Sequence, residues 1–139
     1  MKNLQLSLKK EWFYMTKSGV KTEDYRELTP YFAKRLLDFD FTQEQLEGFI
    51  FEEFMTDLWH VCKDTSRKRF RTLDECFLFF SVEFKHFKNN IMTLGYPKKG
   101  DPERTLIYKN SGISIGYGKT EWGAKEGVLY FIIKHGERS

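Results

Sequence analysis

The chain has 139 residues, 40% apolar and 31% charged, which supplies one hydrophobic core and leaves too much charge for a protein embedded in lipid. No apolar run nears the roughly 20 residues that span a bilayer, and no signal-peptide core follows Met1. Cys62, Cys76 and the three histidines lack zinc-ligand spacing, so one cytoplasmic domain without metal or cofactor is expected.

The net charge of +3 is unevenly distributed. Residues 38–64 hold Asp38, Asp40, Glu44, Glu47, Glu52, Glu53, Asp57 and Asp64 against Lys63 alone, which makes this segment −7 and the remainder +10. A basic body with one acidic element fits an anionic partner such as nucleic acid. The same pattern also fits a solvated acidic helix on an ordinary basic domain.

In chain order, Leu4, Leu6 and Leu8 alternate as in a strand. Residues 10–18 read as a helix closed by Gly19, and residues 21–28 as a loosely alternating strand. Thr29-Pro30 starts a helix that runs through Tyr31, Phe32 and Leu36. Thr42-Gln43-Glu44-Gln45 is a capping box, and behind it a single helix is expected over 43–63, burying Leu46, Phe49, Ile50, Phe54 and Leu58. A polar break over 64–71 precedes residues 73–80, an apolar stretch that suits a second hairpin helix or a strand.

From Ser81 the pattern turns to β. Val82, Phe84 and Ile91-Met92 mark strands, and 95–102 is a long turn. Residues 104–109 and 112–117 are expected to form a hairpin around Asn110-Ser111-Gly112. Glu121-Trp122-Gly123-Ala124 is a loop and 128–135 a final strand. The expected architecture is α+β, a small β-barrel core with short flanking helices. Residues 1–139 form one domain interrupted by a helical hairpin insertion at about 38–80.

Two blocks carry a family resemblance. Leu6 to Trp12 and Ser18 to Arg26 resemble the opening of an ASCH domain, a family of the PUA-like superfamily. Its Gly-x-Lys-x-x-Glu-x-Arg signature falls on Gly19, Lys21, Asp24 and Arg26, with Asp24 where the family usually has Glu; Lys9 falls where the family commonly has a lysine. Gly95-Tyr96, Gly112 to Gly118, Glu121 to Ala124 and Tyr130 to Ile133 are similar to the C-terminal half of compact microbial and phage members. The resemblance implies a pseudo-barrel with a cleft beside the first helix, and a ligand that is RNA, a nucleotide or a modified nucleoside. It also implies a possible hydrolase: some members cleave the amide of acetylated cytidine with the signature lysine, a threonine at the position of Asp24 and a downstream glutamate. Others are ribonucleases.

Each candidate residue has a plainer role beside its chemical one. Lys21 is a phosphate contact or an activated base, or else a surface lysine at a helix end. Asp24 and Arg26 share a strand face, so they present a guanidinium to a ligand or form an ion pair sealing the barrel end. Tyr25 and Trp122 are candidate stacking platforms, with packing as the alternative for each. The candidate ligand set is therefore Lys9, Lys21, Asp24, Tyr25, Arg26 and Trp122. In an enzyme Lys21 would act as base, with Asp24 or Glu121 as its acid partner. Gly116, Gly118 and Gly123 permit close backbone approach or serve turns. The run Arg67-Lys68-Arg69-Phe70-Arg71 is a phosphate grip or a counter-charge to the acidic helix. His60, His86 and His135 read as ordinary structural or surface residues. The helical segment is also a candidate protein-contact element. The oligomeric state is left open.

Overall fold

The structure, a computed structural model, describes residues 1–95 and 101–139. The chain forms an α+β fold and divides into two compact units, 1–27 with 86–139, and 28–85.

The first unit is a five-stranded mixed sheet curled into a half-barrel, in the order β1-β5-β6-β7-β2. Its strands are β1 (Lys2–Leu8), β2 (Glu23–Glu27), β5 (Phe87–Leu94), β6 (Thr105–Tyr117) and β7 (Leu129–Arg138). Strand β1 runs parallel to β5, and the other pairings are antiparallel. The alternation of Leu4, Leu6 and Leu8 puts all three side chains into the core, with Phe13, Met92, Leu106, Phe131 and Ile133. Helix α1 (Lys10–Lys17) links β1 to β2.

Residues 104–117 do not make the expected hairpin; β6 is a single strand of 13 residues. Asn110 Oδ1 accepts the Gly112 N–H (2.9 Å), and Gly112 adopts φ +120. The register against β7 shifts on both sides of Asn110. Asn-Ser-Gly therefore builds a bulge that bends the strand without reversing it, which lets one strand pair with both β5 and β7. Of the turn expected over 95–102, residues 96–100 lie outside the described residues.

The second unit comprises α2 (Pro30–Leu36), β3 (Leu37–Phe39), α3 (Gln43–Leu46), α4 (Phe49–Lys63), α5 (Leu73–Phe80) and β4 (Val82–Phe84). Thr29 Oγ1 accepts the Phe32 N–H (3.3 Å), and Pro30 occupies the first helical position. Residues 73–80 are helical, with Thr72 accepting the Glu75 N–H (3.2 Å). The helix expected over 43–63 is two helices. The capping box at Thr42 forms in full, but it starts a helix of only one turn, and Gly48 in extended conformation breaks the chain before α4. That break resets the helical phase. Phe51, Phe54 and Leu58 now face inward, whereas Phe49 is 87% exposed and Ile50 is also exposed. Phe54 lies 5.4 to 5.8 Å, centroid to centroid, from the rings of Phe39, Phe77 and Phe80.

The basic run of this unit is engaged with acids. Arg69 Nε reaches both carboxylate oxygens of buried Asp57 (3.0 and 3.1 Å), and its Nη2 reaches Glu53 (2.7 Å). Lys68 pairs with Asp64, and Arg71 with Glu75 (3.7 Å). These contacts favour the counter-charge reading of residues 67–71. Among the described residues no helix is long and apolar enough to cross a membrane.

The phase reset has a measurable consequence. Phe54→Ala is expected to cost about 3–5 kcal/mol in urea unfolding, as for a large core truncation. Phe49→Ala should stay within about 0.5 kcal/mol of wild type, as for an exposed site. A continuous helix would give comparable losses at both.

Candidate functional site

The site is assembled where α1 hands the chain to β2. Gly19 at φ +83 ends the helix in a Schellman turn, with the Gly19 N–H on the Thr16 carbonyl and the Val20 and Lys21 N–H groups both on the Met15 carbonyl (each 3.1 Å). That turn carries Lys21 inward. It precedes β2 rather than lying on it, and only 2% of its surface is exposed. The surface-lysine reading is thereby replaced: the ammonium bonds to the Glu23 carbonyl and lies 3.4 Å from Asp24 Oδ1. Burial lowers the Lys21 pKa, Asp24 opposes that shift, and the Arg26 charge adds to it.

Asp24 is also buried, and its second oxygen takes Arg26 Nε at 2.8 Å. Arg26 Nη2 donates to the Ser7 carbonyl on β1 (3.0 Å). Strands β1 and β2 are the two edges of the half-barrel, so Arg26 spans the seam that the backbone ladder leaves open. Lys21, Asp24 and Arg26 thus meet as one ionic cluster, with Asp24 between the two cations.

Tyr25 belongs to the same region through a different set of contacts. Its ring centroid lies 5.5 Å from Lys21 Nζ and 5.7 Å from the ring of Tyr130. Its hydroxyl donates to Glu23 Oε2 (2.8 Å) and accepts the Lys119 N–H (3.0 Å). Burial raises the Tyr25 pKa, so the phenol stays neutral. A Cβ on Gly118 would sit 2.8 Å from this ring, and one on Gly123, which has φ +99, would sit 2.9 Å from Trp12. These two glycines therefore make room for tyrosine and tryptophan packing, not for a ligand. Trp122 is half-buried with Lys119 Nζ 4.2 Å from its ring centroid, so the loop bearing it is fastened to Tyr25 by the Lys119 backbone. Glu121 is exposed, and its charge is felt at Tyr25. Lys9 stands apart: it is exposed, and among the described residues no hydrogen bond or ion pair joins it to the cluster.

The residue that sequence reasoning set aside is His135. A chain of hydrogen bonds determines its protonation. The Gly112 N–H can only donate, so Asn110 presents Oδ1 to it and gives Nδ2 to Asn90 Oδ1 (2.7 Å). Asn90, fully buried, then has Nδ2 for the Lys134 carbonyl (3.2 Å) and for His135 Nδ1 (2.8 Å). Nδ1 is therefore the acceptor and the proton resides on Nε2, which is buried and among the described residues has no hydrogen-bond partner. The His135 N–H bonds to the Thr22 carbonyl (3.0 Å), and its ring feels the charges of both Asp24 and Lys21. Burial lowers its pKa to about 4, with Asp24 opposing and Lys21 adding. The paired Asn90 and Asn110 opposite an apolar strand were the available signal, and it becomes legible only once the bulge is known.

This arrangement offers a desolvated lysine whose pKa burial lowers, a carboxylate that holds it, a guanidinium at the seam and a neutral imidazole. Among the described residues no three or more His, Cys, Asp or Glu are placed to hold a metal ion. Burial pushes the Cys62 and Cys76 thiols up to about 11 and about 12, so neither is a thiolate at neutral pH. Comparison with protein-family models, curated proteins and solved structures finds no match.

His135 makes stability pH-dependent with a defined sign. Its folded pKa lies below its unfolded value of 6.5, so the unfolded chain binds the extra proton. The contribution is present in full above pH 6.5 and is lost as pH falls towards 4, up to about 3 kcal/mol. In melts across this range, His135→Gln should flatten the acid limb relative to wild type. Parallel limbs would show that His135 does not titrate as its burial requires.

Proposed function

We propose that the protein is an RNA- or nucleotide-binding module of the PUA-like type, with the Lys21–Asp24–Arg26 cluster at the centre of its ligand face. The observation that carries this reading is the buried ammonium of Lys21, held by the Asp24 carboxylate that also binds the Arg26 guanidinium at the seam of the half-barrel. Perturbed ionisable clusters of this kind concentrate at functional sites. The unit that contains the cluster holds fifteen Lys and Arg against nine Asp and Glu, an excess suited to a phosphate backbone. Tyr25 supplies an aromatic ring against Lys21, the loop bearing Trp122 is fastened to Tyr25, and Arg26 supplies a planar donor for phosphate or base oxygens.

Binding of short single-stranded RNA across a salt series tests the proposal. Wild type should lose affinity steeply as salt rises, with a log–log slope of about −0.7 per phosphate neutralised. Lys21→Gln and Arg26→Lys, each confirmed as folded by circular dichroism, should bind roughly tenfold more weakly, the cost of one charge-assisted contact. Salt-independent binding, or variants indistinguishable from wild type, would remove the proposal.

A second reading, a hydrolase at the same cluster, draws on the lowered pKa of Lys21. A neutral amine can take a proton from water or add to a carbonyl, whereas an ammonium cannot. Acetylated cytidine and RNA, each incubated with wild type and with Lys21→Gln, distinguish the cases. Hydrolysis by wild type alone, rising with pH as Lys21 deprotonates, supports an enzyme. Equal background rates rule it out.

A further inference from the structure

The second unit carries a surface that the proposed ligand face does not use. Helix α5 ends at Phe80, where the Ser81 N–H caps the Phe77 and Leu78 carbonyls and the chain enters β4. The β3–β4 ladder then sets Asp38 directly opposite Glu83. Asp40 follows, its N–H bonded to the Ser81 carbonyl (3.4 Å). Like charges placed across a ladder repel each other. The C-terminal carbonyls of α5 add further negative potential, and the last turn of that helix contains no basic residue.

Four acids of this unit are answered by cations, Asp57 and Glu53 by Arg69, Asp64 by Lys68, and Glu75 by Arg71. Among the described residues no Lys, Arg or His pairs with Asp38, Asp40 or Glu83. Nor do these three stand on a plain polar surface. With Phe77, Leu78 and Val82 they line a hollow of about 370 Å³. Leu78 is 82% exposed at it, on a helix that buries Phe77 and Phe80 and leaves Phe79 exposed.

The chemistry of this hollow selects its occupant. Three carboxylates and a helix C-terminus repel a phosphate backbone. A single metal ion needs donors that converge, and the grouping of three or more that would hold one is missing among the described residues. Carboxylates spread around an apolar hollow instead suit a partner with several separated cations and an apolar side chain between them, complementary in both charge and apolarity. We propose that the β3–β4 hollow docks a basic amphipathic segment of another protein, with lysine or arginine side chains on Asp38, Asp40 and Glu83 and an apolar side chain on Leu78.

The test uses the full chain and a short labelled peptide that alternates leucine with lysine, with a leucine–glutamate peptide as control. Wild type should bind the basic peptide in a salt-sensitive manner and ignore the acidic one. The Asp38→Asn/Glu83→Gln double variant should bind roughly tenfold more weakly, and Leu78→Ser likewise. The double variant removes a repelling pair, so its melting temperature should equal or exceed that of wild type, which separates loss of the site from loss of the fold. Equal binding by the variants, or equal affinity for the two peptides, would overturn the proposal. So would self-association in sedimentation that the double variant abolishes and the basic peptide does not compete, because the occupant would then be a second copy of this chain.

Discussion

The first unit depends on one buried carboxylate. Asp24 neutralises Lys21, which would otherwise be an uncompensated ammonium in a desolvated site, and it aligns Arg26 so that the guanidinium reaches the Ser7 carbonyl. A half-barrel of five strands leaves its two edges without ladder partners. Here a side chain bridges the edges, and Asp24 orients that side chain. Removing the carboxylate would leave two cations adjacent to each other in a low-dielectric environment and would take from Arg26 the contact at Nε that aligns it.

The same cluster joins stability to chemistry. Buried ion pairs seldom add much net stability over an apolar replacement, because desolvation offsets most of the attraction. A fold that keeps a lysine at 2% exposure, beside a histidine held neutral through two asparagines, retains groups whose protonation is set by their surroundings. Such groups are available for proton transfer or anion recognition in a way that solvated ones are not. The bulge at Asn110 contributes to both ends of this arrangement. It lets β6 serve two neighbours, and it orients the asparagine chain that fixes the His135 tautomer.

The sequence was most legible where local chemistry decides the outcome. The Gly19 helix stop, the Thr29-Pro30 start, the capping box at Thr42 and the leucine alternation in β1 each form as their residues require, because a cap or a period-2 pattern needs only near neighbours. Where two local signals competed, the reading failed. Asn110-Ser111-Gly112 carries the composition of a hairpin turn and also that of a bulge, and only pairing with β5 and β7 selects the bulge. Gly48 outweighed the capping box that precedes it and shifted the buried face from Phe49 and Ile50 to Phe51. The ion pair between Asp24 and Arg26 was legible through their two-residue spacing on a strand, whereas Lys21 was singled out only by the resemblance to a family signature. The burial of Lys21 and the role of Asn90 and His135 were not, because they arise from strands far apart in the chain.

The central claim, that Asp24 and Arg26 act as a unit to hold the seam, is tested most directly by a double-mutant cycle in urea with Asp24→Asn, Arg26→Gln and the pair together. A coupled buried pair predicts that each single variant loses about 3 kcal/mol, in the range for breaking one partner of a buried ion pair, and that the double variant loses little more than either. The coupling energy would then be about 2 kcal/mol or greater. Losses that add to within about 0.5 kcal/mol would contradict the account, because the two residues would then act independently and the seam would be held by something else.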